Sequence, residues 1–212
     1  VAQARMRGPD TGRRGALDEG ARPLALGVEP LEMDARLGHA LPLRRDHDDY
    51  PALYVGNYIL GGNFSARLMS TVRDERGLTY GIRSSLSGVA THYAGSWQTS
   101  VTLSHDTLDA GIAATREVIR TFVEEGVTAE EVEDKKTTIT GSYTVGLATT
   151  QRLAQSILTN AERGFDVSYL DRFPDEIEAL TLEEVNAAVR RYFDPDALQE
   201  ALAGTRPAPT RA

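Results

Sequence analysis

The chain has 212 residues, 41% of them hydrophobic and 25% charged, with a formal net charge of -8 and a sequence pI of about 5.1. That is the composition of a soluble globular protein with material for a sizeable core, and its acidity argues against a nucleic-acid-binding face as the main function, because neutralising phosphates needs a basic surface. With no cysteine, a disulfide framework, a cysteine-ligated zinc and a catalytic thiol are excluded, and no apolar run approaches the length of a membrane-spanning helix.

Residues 1–22 are rich in Gly, Arg, Asp and Ala without a period, and read as a linker or lead-in. The start, Val1-Ala2-Gln3, has neither an initiator Met nor an apolar signal core, and reads as a processed chain or a fragment of a longer one. Within 24–43, Leu31, Met33, Ala35 and Leu37 alternate with Glu32, Asp34, Arg36 and Gly38, the period of an amphipathic strand. Residues 44–49 form a charged turn. Residues 52–60 fit helix or strand by pattern, and their length and mixed apolar faces favour a buried helix.

Residues 60–83, LGGNFSARLMSTVRDERGLTYGIR, organise the rest. They read as a glycine-ended strand, a short helix capped by Asn63 or Ser65, a stop at Gly77 and a second strand. Leu68, Met69 and Val72 recur at the spacing of a buried helix face. In the second strand, Tyr80, Ile82 and Leu86 point one way and Gly81, Arg83 and Ser85 the other. A hairpin loop at 88–91 leads to a strand over 93–103, with Tyr93, Trp97, Val101 and Leu103 on one side.

Helices follow. Asp106 caps the first, which runs to about Glu124 with Leu108, Ile112, Thr115, Ile119 and Phe122 on one stripe and ends at Gly126. Thr128-Ala-Glu-Glu131 is a capping box opening a second, whose buried side is marked by Val132, Ile139 and Tyr143. A break is expected at 146–149. A third helix covers 150–163, a short one 169–179, and Thr181-Leu-Glu-Glu184 caps another that ends near Phe193. Residues 198–203 read as a closing strand and 206–212 as a disordered tail. Grouped strands and grouped helices indicate an α+β fold of two layers, a mostly antiparallel sheet with helices packed on one face.

Few residues suggest chemistry by themselves. The four histidines, His39, His47, His92 and His105, include no pair four residues apart. His47 among Asp46, Asp48 and Asp49 reads as a solvated turn rather than a cation site. Gly61-Gly62 lacks the spacing of a phosphate-binding loop, and backbone geometry explains it better: a tight junction, or room for an extended peptide. Ser84, Ser85 and Ser87 have no nucleophile-elbow context. Arg67 reads as structural, and Lys135-Lys136, Glu124-Glu125 and Glu130-Glu131 as solvated helix faces.

Gly61-Gly62, then Ser65-Ala66-Arg67-Leu68, then Arg73-Asp-Glu-Arg-Gly-Leu-Thr-Tyr80 together resemble the signature of the C-terminal, non-zinc half of the M16 (insulinase/pitrilysin/mitochondrial processing peptidase-like) metallopeptidases. The likeness runs from about residue 37 to 205, including 126–141 and 180–195, and implies one such domain over 23–205. It implies that Arg73 and Tyr80 reach across a closed chamber to a peptide held at a zinc in another half, and so serve both substrate binding and catalysis. A Tyr hydroxyl can donate to the oxyanion of a tetrahedral intermediate, and a guanidinium can hold a peptide carbonyl or carboxylate. Gly61 and Gly62 would let the peptide approach. The family's zinc motif, H-x-x-E-H, is not in this sequence. The expectation is therefore no metal here, zinc in a partner half on the same or a separate polypeptide, and a peptide substrate. No nucleic acid or membrane partner is expected, and a homo-oligomer stays open. The compartment, cytoplasmic or periplasmic, is undetermined. The alternative is a non-catalytic scaffold of the same fold. The acidic net charge would favour basic peptides at long range.

Overall fold

The computed structural model describes residues 5–7 and 32–204. The other residues of the expected lead-in, Leu31 and the expected tail lie outside that range. Five strands form one sheet in the order β1-β5-β2-β4-β3, every neighbouring pair antiparallel. They are β1 (Arg5–Arg7), β2 (Glu32–Leu41), β3 (Gly81–Ser87), β4 (Gly95–Ser104) and β5 (Gln199–Gly204). The helices are α1 (Tyr50–Gly61), α2 (Leu108–Glu125), α3 (Ala129–Gly146), α4 (Thr150–Glu162), α5 (Tyr169–Glu178) and α6 (Leu182–Tyr192), with a π-helical segment at Met69–Glu75. This is the expected α+β arrangement. Part of the stretch read as a lead-in pairs as a strand, because a three-residue strand held by backbone bonds to β5 needs no side-chain period.

Period two sorts the sheet into two faces. Met33, Ala35 and Leu37 on β2, Ile82 and Ser84 on β3, and Trp97, Thr99, Val101 and Leu103 on β4 are all buried towards the helices. Asp34 and Arg36, Gly81 and Arg83, and Ser100 and Thr102 occupy the other face, half-buried or exposed. Cross-strand register sets Ser100 opposite both Arg36 and Arg83, and Thr102 opposite both Asp34 and Gly81.

Helix ends follow short-range chemistry. Both capping boxes form: Thr128 Oγ1 accepts from Glu131 N and Thr181 Oγ1 from Glu184 N, with each glutamate accepting in return. Gly77, Gly126 and Gly164 close their helices at positive φ, 61°, 81° and 91°. The break after Gly146 is present.

Several expectations need correction. The glycines at 61–62 end helix α1, not a strand, because the run they follow buries residues all round rather than alternately. The short helix is π-wound where Arg76 N bonds Thr71 O, and neither Asn63 nor Ser65 caps it; Asn63 Oδ1 instead accepts from Ser65 N and Oγ in a local turn. Thr107, not Asp106, is the N-cap of α2. Tyr80 and Tyr93 precede their strands and are exposed, so neither shares the inward face. Two charges read as solvated are engaged: Lys136 is 6% exposed, with Nζ on Glu133 Oε1 and Leu180 O at 3.0 Å each, and Glu131 takes Arg67.

Candidate functional site

The chain leaves the last turn of α1 at Gly61 and passes Gly62 into the 63–66 turn. A Cβ on Gly61 would lie 2.6 Å from Ser84 N and 2.9 Å from Leu68 Cδ1, and one on Gly62 2.7 Å from Tyr58 Cα. Both positions are therefore closed to side chains by packing. Asn63 Nδ2 donates to Tyr58 O at 3.0 Å, fastening the turn to α1.

Arg67 acts as the structural residue expected. Its Nε and Nη2 donate to Glu131 Oε1 and Oε2 at 2.7 and 2.6 Å, while its guanidinium lies 5.1 Å from the Phe122 ring centroid. Burial raises the Glu131 carboxyl, but Arg67 and the Thr128 N–H outweigh it and hold the group below the usual glutamate range. A lowered folded pKa contributes stability that is complete above the unfolded value and is lost as pH falls through the folded one. Arg67→Ala is thus expected to lower the thermal midpoint by about 4–8 °C at pH 7, from about 2 kcal/mol, and by clearly less near pH 3. Equal losses at both pH values would contradict this assignment.

The segment carrying the remaining candidates is held by its own backbone. Gly77 N bonds Arg73 O and Leu78 N bonds Val72 O, both at 3.0 Å, so the chain reverses at Gly77 immediately after the turn that bears Arg73. Thr79 Oγ1 accepts from Gly81 N at 3.1 Å and donates across to Thr102 O. That pins the residue preceding β3, and Tyr80 projects with 87% of its surface exposed. Among the described residues the Arg73 side chain pairs only with its neighbour Asp74, at 3.2 Å with both side chains in solvent, a pair too exposed to immobilise it.

These elements border one open cleft of about 630 Å³ on the sheet face away from the described helices, at the β3 side. Gly61, Gly62, Arg73 and Tyr80 all line it, so the fold brings the four candidates together. Sequence reasoning missed the floor, made by Asp34 and Arg36 of β2, Arg83 of β3 and Ser100 and Thr102 of β4, and the rim residue Phe64, which is 82% exposed. Alternation alone marks those strand residues as outward-facing; nothing local marks them as a shared surface. The cleft is basic despite the net charge. Among the described residues Arg36, Arg73 and Arg83 line it beside one carboxylate, Asp34, which Arg36 meets at 3.2 Å. Among the described residues no three His, Asp or Glu side chains gather as a metal centre, and Asp49 in the charged turn instead binds Arg191 Nη1 and Tyr192 Oη at 3.0 and 2.7 Å.

Residues 31–139 match the family model of the peptidase M16 inactive domain. The chain belongs to that family. Relatives of this M16 domain include the uncharacterized zinc protease YmxG of Bacillus subtilis, 30% identical over 82% of this chain and 39% of the relative. The non-peptidase homolog YmxG of Helicobacter pylori is 26% identical over 70% of this chain and 34% of the relative. A peptidase M16 inactive domain from Pseudomonas fluorescens superposes with a TM-score of 0.70 at 28% identity, covering 81% of this chain and 40% of that one. The M16 domain thus spans about a third to two fifths of the length of these proteins. No helix of the described residues is long and apolar enough to cross a membrane.

Proposed function

We propose that this chain is the substrate-binding half of a two-halved zinc endopeptidase, with the zinc-binding H-x-x-E-H half outside it. The supporting observation is the convergence of Gly61, Gly62, Arg73 and Tyr80 on one open cleft, with Tyr80 projecting from it. A Tyr so exposed adds little to the core, and a π-helical segment beside it is a feature that recurs at functional sites. An extended peptide would lie over the polar sheet face against the glycine turn, Arg73 would hold a carbonyl or carboxylate, and Tyr80 would donate to the oxyanion formed at the partner's zinc.

The test is a fluorogenic-peptide assay of the chain alone, then mixed with its H-x-x-E-H half, with and without a chelator. Activity in the mixture only, lost on chelation, is the expected result; activity of the chain alone, or none in the mixture, counts against it. Local charge, acting within a screening length of the peptide, outweighs the net charge in selecting substrate, so acidic rather than basic peptides are preferred. At low salt an acidic peptide should be cleaved about three- to tenfold faster than its basic counterpart, the ratio falling with added salt. A preference for the basic peptide would restore the net-charge reading.

A scaffold role is the second reading. It is favoured by the relative named a non-peptidase homolog and by apolar side chains left in solvent on and around α4: Val145, Ile157, Leu158 and Val167.

A further inference from the structure

The helical side of the fold holds a second, smaller cavity of about 220 Å³, walled by α3, α4 and α5 and by the turn before α1. Arg45 and Arg163 both line it, with Tyr143 and Tyr169, and among the described residues no carboxylate does. Among the described residues neither arginine makes an ion pair; of the acidic groups on adjoining α5, Glu176 faces Arg172 at 3.8 Å and Asp171 pairs with neither.

This arrangement is held against its own repulsion. Arg45 N bonds Ala90 O at 3.1 Å and Thr91 N bonds Arg163 O at 3.0 Å, so the 88–94 loop anchors both arginines by their backbones. Arg45 lies 4.6 Å from the Tyr50 ring centroid and donates to that hydroxyl through Nη1. Burial, and then the Arg45 charge, push Arg163 below the ordinary arginine value. Burial also raises the Tyr50 and Tyr169 hydroxyls, keeping them protonated. Among the described residues Arg45 Nε and the Tyr143 hydroxyl, both closed off from solvent, meet no acceptor, so nothing inside the wall answers the two charges.

We propose that this cavity binds a phosphate dianion, free or as a monoester, between the Arg45 and Arg163 guanidiniums. Two uncompensated guanidiniums match the roughly double negative charge of phosphate near neutral pH, and their planar forks suit its oxygens. The volume admits the ion and a small attached group, not a nucleotide. The consequence falls on α4, of which only Asn160 is buried. With Arg163 at its C-cap and Arg45 on the turn before α1, the dianion ties that helix to the body of the domain.

The experiment is calorimetric titration of the chain with inorganic phosphate, and thermal unfolding in phosphate against chloride at matched ionic strength. Saturable binding with a phosphate-dependent rise in midpoint and slower amide exchange in α4 is expected. Arg163→Gln should weaken binding about tenfold or more. Arg163→Lys keeps the charge but not the planar fork, so it should bind more weakly than the parent and more tightly than Arg163→Gln at an unchanged phosphate-free midpoint, which separates lost affinity from misfolding. Tighter binding of glycerol 3-phosphate than of phosphate assigns the monoester, and the reverse assigns the free ion; both support the site. No heat of binding, or an equal midpoint rise in Arg163→Gln from the general salting effect of phosphate, would overturn it.

Discussion

Tyr80→Phe is expected to lower peptide turnover of the reconstituted two-halved enzyme by about a hundred- to a thousandfold, the usual loss for one oxyanion donor. The KM should change little, because the ring stays in place and only the hydroxyl is lost. The thermal midpoint of the chain should not move, since the side chain is 87% exposed and its hydroxyl has no partner among the described residues. Arg73→Ala should reduce kcat/KM by a similar order, its stability effect staying within about 0.5 kcal/mol because the only partner it gives up among the described residues is the solvent-exposed Asp74. The paired prediction separates chemistry from folding. Activity untouched by both substitutions, in an enzyme that is otherwise zinc-dependent, would transfer the function to the scaffold reading.

The largest effect on stability is expected at Trp97. It is fully buried on β4, stacks on Phe193 at 4.0 Å with the rings 11° apart, and meets His39 edge-on at 5.2 Å. Its Nε1 donates to Ser84 Oγ at 2.8 Å, Ser84 Oγ donates to Asn57 Oδ1 at 2.6 Å, and Asn57 Nδ2 returns to Ser84 O at 3.4 Å. One side chain thus joins β4 to β3, to α1 and to the segment after α6. Trp97→Ala should cost about 3–5 kcal/mol and lower the midpoint by about 6–20 °C in a chain of this length. Trp97→Phe keeps the stack and loses the N–H, so about a third of that loss is expected. Denaturant or thermal unfolding measures both. If the two variants lose equally, the hydrogen-bond chain rather than the packing dominates.

Much of the candidate site was legible because its signals are local. The helix stop at Gly77 and the seven-residue interval from Arg73 to Tyr80 are written in consecutive residues, and the structure shows the backbone bonds that make the interval a reversal. Ser84 was not legible. Beside Ser85 and Ser87 it looks like one of several strand serines, and only the approach of Asn57 and Trp97 makes it the centre of a buried polar chain. Glu131 is half legible: its capping role follows from Thr128 three residues earlier, while its bond to Arg67 joins positions 64 residues apart.

By itself the sequence determined the α+β class, the inward set of β2, both capping boxes, the left-handed glycines and the family signature. Each depends on periodicity or on hydrogen bonds spanning a few residues. Tertiary structure alone decided that β5 lies between β1 and β2, that the described helices all pack on one sheet face, and that the described residues of the other face are locally basic in an acidic chain. It also decided that Arg45 and Arg163 share a cavity. Those features arise from contacts between distant segments, whose pairing is selected by the joint burial of the core and leaves no trace in the spacing of neighbours.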